Sequence, residues 1–303
     1  QTIEENFGFE IDYYALIDFA GFKEFIDYVG GVDILVDCAL EDYRLIAGRN
    51  PDNPNNYALY ELTPGLHHMN GDDALWYVRS RITTSDFDRN RRQQVLLRAI
   101  WAQFQRTNNW SKLSELWDVF HSTVTTDMTL NDLLELLPIA ISLDYNLIES
   151  HFIGAGEVEP FTTDSGAAVL RLLPSRAEAV IDAFLTPPTL NRLYQEHPRI
   201  EVVNQSGHDQ MDLIAADRLT WEGFIPHTTE PAQPQVMSET IIYDFTGVTK
   251  GSSLAVLQRV LNIPLSNVVY IPDPDRDVDY RVVLGANYDS CTYSPWEGIV
   301  QVN

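Results

Sequence analysis

The segment "RSRITTSDFDRNRRQQVLLR", residues 79–98, holds six arginines (Arg79, Arg81, Arg89, Arg91, Arg92 and Arg98) beside two aspartates, Asp86 and Asp88. Guanidinium groups held close together grip a phosphate or pyrophosphate through several charge-assisted hydrogen bonds, a geometry that Lys does not reproduce. Arg79 and Arg81 are two apart, so a chain that extends after a helix ending near Val78 points both to one side. An aspartate beside the bound anion would serve as a base. The simpler job for Asp86 and Asp88 is to cap the helix that follows, and the structural alternative for the whole cluster is an Arg/Asp ion-pair network closing a loop.

The helix that must position these groups is read over 89–104. Its apolar residues Leu97, Ile100, Trp101 and Phe104 recur at i, i+3, i+4, i+7 and mark an inward face. Four residues before Leu97 lies Gln93, and four before that Arg89, so both are expected on the buried stripe. A guanidinium there needs an anionic partner or an aqueous cleft. Arg91 and Arg98, seven apart, share another, solvated face.

Around this segment the chain alternates strand and helix signals. "IDYYALIDF" (11–19) reads as a strand and "AGFKEFIDYV" as a helix with Phe22, Phe25, Ile26 and Val29 at helical spacing; Gly30 and Gly31 stop it, and "VDILV" (32–36) is the next strand. That rhythm belongs to an α/β sheet. Residues 40–64, rich in Asn, Pro, Asp and Tyr, read as a long loop of the kind that flanks a site. Asn70 caps a helix over "GDDALWYV". Two amphipathic helices follow at about 111–121 and 130–142, the second opened by Thr129 with Asp132 three residues on; a strand and a further helix (176–185) complete the region. "TPPTLNRLYQEHP" (186–198) has linker composition. The organisation expected is a domain over 1–185, a linker over 186–197 and a second, small α/β domain over 198–303.

The whole chain has 303 residues with 44 acidic against 20 basic side chains, a formal charge of −24. Hydrophobic content of 45% with 11% aromatic residues marks a folded protein, and such acidity disfavours general nucleic-acid binding. Gln1 is not an initiator Met, its flanking residues lack the regions of a signal peptide, and no run of about eighteen apolar residues appears, so nothing within this sequence is expected to insert into a membrane. His67 and His68 are adjacent with no third ligand in sequence and read as structural or exposed; "PDPDRDVD" (272–279) offers a calcium loop as its sharper alternative. Cys38 and Cys291 lack metal-ligand spacing and read either as two thiols or as a disulfide.

"LTPGLHHMNGDDALWYVRSRITTSDFDRNRRQQVLL", joined to "FGFEIDYYALIDFAGFKEFIDYVGGVDILV", resembles the LytR-CpsA-Psr family of bacterial cell-wall phosphotransferases. The shared motifs are the Tyr-Tyr strand, the Gly-Gly-Val-Asp turn, the Asn-Gly helix start, the Arg-x-Arg pair and the Asp-Phe-x-Arg-x-x-Arg-Gln run. The likeness is close to about residue 105 and looser to 185, and residues from about 198 resemble the LytR C-terminal domain. The resemblance implies a three-layer α/β/α domain with a central mixed sheet, followed by a small α/β domain.

It also implies a function: transfer of a glycopolymer such as teichoic acid from a polyprenyl pyrophosphate carrier onto peptidoglycan, at the outer face of the cell membrane. Arg79, Arg81, Arg89 and Gln93, with Arg92 beside them, would contact the pyrophosphate, and Asp86 would orient an arginine or act as base. The polyprenyl tail would occupy an apolar tunnel. Mg²⁺ is implied as cofactor, but the family's metal-binding aspartates, another arginine and a membrane helix precede the Tyr-Tyr strand, upstream of Gln1. The domain is therefore expected to lack its N-terminal strands, and this chain alone is expected to be inactive or to need that part as a separate piece. Leu16 stands where many members carry a basic residue, which removes one phosphate contact. An exported location favours the Cys38–Cys291 disulfide. The competing functions are a polyprenyl pyrophosphate hydrolase with water as acceptor and a noncatalytic module that binds lipid pyrophosphate or cell-wall polymer.

Overall fold

The computed structural model describes residues 2–82, 86–107, 117, 123–143, 148–187, 196–247 and 252–291. The chain divides into two compact units, the first formed by 1–34, 40–62 and 67–145, the second by 35–39, 63–66 and 146–303. The linker composition at 186–197 thus falls within the second unit, with 188–195 outside the described residues. Of the helix expected over 111–121, only Trp117 is described.

The first unit opens with α1 (Thr2–Phe7) and β1 (Ala15–Ile17), so the strand read over 11–19 is shorter than expected. The reason is Asp18, whose carboxylate accepts from the Gly21 amide at 2.7 Å and starts α2 (Phe19–Tyr28) at once. Ile26 of α2 and Val29, its C-cap, enter the core as their spacing predicts. Gly30 and Gly31 take positive φ, and a Cβ on Gly31 would lie 2.6 Å from His68 Nε2, so glycine is required there for space as well as for backbone conformation.

After β2 (Val32–Val36), the region expected as a long loop is a hairpin, β3 (Leu40–Leu45) with β4 (Tyr57–Leu62), antiparallel with Leu40 opposite Leu62 and Asp42 opposite Tyr60. Only its tip has the Asn/Pro composition that dominated the sequence reading. β5 (Gly65–Met69) leads to α3 (Gly71–Arg79), whose Asn70 cap accepts from the Asp73 amide at 2.9 Å as expected. A Cβ on Gly71 would strike the Lys23 carbonyl, so this glycine lets α3 cross close to α2. Then come α4 (Asp86–Thr107), β6 (Val124–Thr126), which pairs antiparallel with β1, and α5 (Leu130–Ser142), opened by a Thr129/Asp132 capping box.

The α/β class holds; among the described residues no sheet of the first unit has more than two strands. In the β3–β4 hairpin Glu41 sits opposite Glu61, both exposed, a like-charge pair that suits a solvated ribbon rather than a buried sheet strand.

The register of α4 also departs from expectation. Its buried residues are Arg92, Leu96, Ala99 and Gln103, together with Arg98, whereas Gln93 and Leu97 are exposed, Leu97 at 65%. The apolar pattern misleads here because two inward positions are polar side chains with fixed partners. Arg92 donates to the carbonyls of Tyr77 and Ser80 at the end of α3, and Gln103 Nε2 donates to the Val29 carbonyl at the end of α2. Helix ends leave carbonyls without intrahelical donors, and α4 supplies them.

The second unit holds β7 (Val158–Thr162) paired antiparallel with β8 (Ala168–Leu172), and α6 (Pro174–Leu185). Its core lies in a five-stranded mixed sheet, β9 (Arg199–Asn204), β10 (Ile225–Thr229), β11 (Ile241–Asp244), β12 (Val268–Tyr270) and β13 (Tyr280–Leu284), ordered β10-β9-β13-β11-β12. Two parallel strand pairs, β9/β10 and β11/β12, are each joined through a helix, α7 (Met211–Trp221) and α8 (Ser252–Val260). Ile200, Val202, Ile242, Val282 and Leu284 alternate onto one sheet face and pack against Ala215 and Leu219 of α7 and Leu257 and Val260 of α8. The alternating strand and helix signals read beyond residue 198 form this sheet and its helices, within a compact unit that also takes in 35–39, 63–66 and 146–197.

Cys38 and Cys291 form a disulfide, with Cα atoms 4.9 Å apart, inside the range such a bond allows. Both cysteines belong to the second unit. Beside the bond the Arg218 side chain, 2% exposed, donates to the Ser290 carbonyl and lies 3.3 Å from the Asp37 carboxylate. Replacing both cysteines by serine is expected to lower unfolding stability by about 2–5 kcal/mol, as read by urea denaturation; superimposable curves with and without reductant would show that the bond contributes nothing.

Candidate functional site

A cavity of about 820 Å³ opens in the first unit between α2, the β3–β4 hairpin and the last turns of α3. Arg79 lines it from the end of α3, and its guanidinium stacks over the Phe19 ring at 4.1 Å from the centroid. The other cations on the cavity are matched by acids: Lys23 by Asp72 at 3.1 Å, and Arg44 by Asp73. Arg44 also lies 4.9 Å from the centroid of Tyr60, which in turn meets Trp76 edge to face. Arg79 has no hydrogen-bond or ion-pair partner among the described residues. A cation stacked on an aromatic face keeps all five N–H donors available for an anion.

The position of Arg79 is fixed by the backbone that follows it. Asp42, half-buried on β3, accepts from the Ser80 hydroxyl at 3.0 Å, the Arg81 amide at 2.7 Å and the Ile82 amide at 3.4 Å. Burial pushes the Asp42 carboxyl up, but these donors and the Tyr43 amide outweigh it and hold the group below its ordinary value. On the other side, Arg92 takes the Tyr77 and Ser80 carbonyls.

The predicted residues are therefore placed unevenly. Arg79 lines the cavity, and Arg81 follows Ser80 with its amide on Asp42. Arg89 is half-buried on α4 and Gln93 exposed one turn later, neither on the cavity wall. Arg92 is 5% exposed and donates to the carbonyls of Tyr77 and Ser80, on either side of Arg79 in the chain. α4 begins at Asp86, three residues before the helix read over 89–104, so the backbone of Asp86 and Asp88 lies inside its first turn and not ahead of it; residues 83–85 lie outside the described residues. Arg98, expected on a solvated face, is buried. Asp42, Phe19 and Arg44 had no signal in the sequence beyond their residue types, because they reach the site through the hairpin and the α2 start.

His68 and the acidic loop take structural places. His68 Nδ1 is 2.6 Å from the Asp33 carboxylate, which Arg106 also contacts. The His68 hydrogen bond, opposed by burial and assisted by Arg106, holds the Asp33 carboxyl below its ordinary value. In the 272–279 loop, Asp279 accepts from the Arg199 amide at 2.8 Å and from Arg276 Nε at 2.7 Å. No group of three or more His, Cys, Asp or Glu side chains converges among the described residues. The described side chains thus do not fit a Mg²⁺ centre.

The sequence profile of the LytR_cpsA_psr family matches residues 1–163. Polyisoprenyl-teichoic acid–peptidoglycan teichoic acid transferase TagV of Bacillus subtilis (strain 168) is 30% identical over 141 residues, which are 46% of this chain and 34% of the relative. The B. subtilis transferase TagT is 26% identical over 160 residues, 53% of this chain and 47% of its own. The chain matches a third to about half the length of these curated relatives. The crystal structure of B. subtilis TagV shares 23% identity at a TM-score of 0.45, covering 60% of this chain and 66% of that one.

The Asp42 clamp makes a pH-dependent prediction. Its carboxyl titrates lower in the folded chain than in the unfolded one, so its stabilisation is complete above the unfolded value of about 3.9 and is lost as the pH falls through the folded value. Asp42→Asn is expected to reduce stability at pH 7 by about 1–3 kcal/mol, with the difference shrinking below about pH 4. Denaturation curves of both proteins at pH 7 and pH 3 test this; a gap of equal size at the two pH values would remove the ionised clamp.

Proposed function

We propose, from the premise that this chain belongs to the LytR_cpsA_psr family, that its first unit grips the pyrophosphate of a polyprenyl-linked glycopolymer and takes part in moving that polymer onto peptidoglycan. The observation that carries this reading is Arg79: a stacked guanidinium without an acidic partner among the described residues, in a cavity of about 820 Å³. The curated relatives' names speak of polyisoprenyl-teichoic acid and peptidoglycan.

In this reading an acceptor hydroxyl of peptidoglycan attacks the phosphorus that bears the polymer. A new P–O bond forms, the P–O bond to the polyprenyl phosphate breaks, and the hydroxyl proton passes to a base, for which Asp86 is the candidate. Phosphoryl transfer asks little covalent chemistry of the protein and much fixed positive charge where the transferring and departing groups become more negative. Arg79 supplies such charge, with Arg81, Arg89 and Gln93 as the further contacts the family motif assigns. Arg92 would act by holding the turn that carries Arg79. For the polyprenyl chain, the unit presents apolar side chains that remain exposed, among them Leu16, Leu97 and Ile139. Such a reaction places the protein at the outer face of the membrane; the disulfide is consistent with that oxidising side, while no helix among the described residues is long and apolar enough to cross a bilayer.

Calorimetric titration with a short-chain polyprenyl pyrophosphate tests the grip. Arg79→Ala is expected to weaken binding by about tenfold or more while changing the melting temperature little, because the side chain gives up its stacking on Phe19 but no hydrogen bond or ion pair. Arg92→Met is expected to lower the melting temperature as well, since it strands two carbonyls. Undiminished binding by Arg79→Ala would sink the assignment.

A further inference from the structure

The second unit contains a cavity of about 440 Å³ that the transfer reading leaves without a role. Its floor is the sheet face turned away from α7 and α8, where Val203 and Val283 lie side by side in register. Two residues along on the same face, Glu201 of β9 faces Arg281 of β13. The chain at 230–235 forms the opposite rim, tied to the end of β9 by the Gln205 side-chain amide on the Gln233 carbonyl at 3.0 Å and by the Met237 amide on the Gln205 carbonyl at 2.9 Å.

Arg281 is the informative group. Its Nε donates to one oxygen of Glu201, whose other oxygen accepts from the Thr229 hydroxyl at 2.8 Å. The Phe245 ring lies 5.7 Å from the guanidinium carbon. Among the described residues the terminal nitrogens Nη1 and Nη2 of Arg281 carry no hydrogen bond. Orientation is thus fixed through Nε while the end-on fork stays open, the arrangement that receives a carboxylate through two parallel hydrogen bonds. Glu201 is already engaged, but Glu230, exposed on the rim, adds a negative charge with no partner among the described residues. A dianionic phosphate would share the cavity with the negative charge of both acids that line it. A ligand with one carboxylate and one ammonium matches Arg281 and Glu230 together.

We propose that this cavity binds the free carboxyl end of a short apolar peptide, with the carboxylate on Nη1 and Nη2 of Arg281, small side chains over Val203 and Val283, and the ammonium toward Glu230. The site lies wholly in the second unit and stands independently of the phosphotransfer reading.

The test uses the full chain with methyl-labelled valine, titrated with alanyl-alanine, alanyl-alanine amide, N-acetyl-alanyl-alanine and inorganic phosphate. Alanyl-alanine is expected to shift the Val203 and Val283 methyl signals. Amidation of its carboxyl end should weaken binding about tenfold or more, and acetylation of its amine by a smaller factor. Arg281→Gln should reproduce the effect of the amide and Glu230→Gln that of acetylation; Glu230 is exposed and bonded to nothing described, so its variant keeps the test valid if Arg281→Gln disturbs the sheet. Equal binding of the amide, tighter binding of phosphate than of the peptide, or no methyl shift at millimolar peptide would each overturn the proposal.

Discussion

Where α3 ends, two side chains from distant parts of the sequence hold the polypeptide from opposite sides. Asp42 collects the Ser80 hydroxyl and the Arg81 and Ile82 amides, and Arg92 meets the Tyr77 and Ser80 carbonyls. A helix terminus buried against its neighbours leaves carbonyls that water no longer reaches, and each left unpaired would cost on the order of 1–3 kcal/mol. A guanidinium satisfies several at once. The same clamp sets the direction of Arg79, so the stability of the unit and the placement of its candidate anion-binding group rest on one piece of local chemistry.

Charge gives that placement its meaning. In a chain of formal charge −24, most cations near the cavity already face an acid, as Lys23 faces Asp72 and Arg44 faces Asp73. Arg79 instead meets the ring of Phe19. An aromatic face orients a guanidinium without neutralising it, so its field remains for a ligand. The surrounding acidity has a second effect: it weakens nonspecific attraction for polyanions, leaving a local site to select a compact anionic group.

The second unit solves a different problem. Its sheet packs against helices on one face, and the other face carries Val203, Val283, Glu201 and Arg281, which line a cavity together with the 230–235 segment. Glu201 stays ionised there because Arg281 and the Thr229 hydroxyl outweigh the burial that would raise its carboxyl. A carboxylate half-buried on a sheet face needs such partners to stay there.

The sequence by itself determined what local physics controls: the Asn70 and Thr129 caps, the glycine stop after α2, the α/β alternation of the second unit and the clustering of arginines in 79–98. These depend on groups a few residues apart, which are visible as spacing. The tertiary structure alone decided which face of α4 is buried, because Arg92 and Gln103 go inward to carbonyls that belong to α3 and α2. Residues 40–64 hid their hairpin behind an Asn/Pro-rich tip, and with it the role of Asp42. Arg79 and Arg92 are the same residue type thirteen positions apart in one motif, yet one is open to a ligand and the other bonded to backbone. Nothing local distinguishes them; what does is whether the folded chain brings an aromatic ring or a helix's unpaired carbonyls to meet the guanidinium.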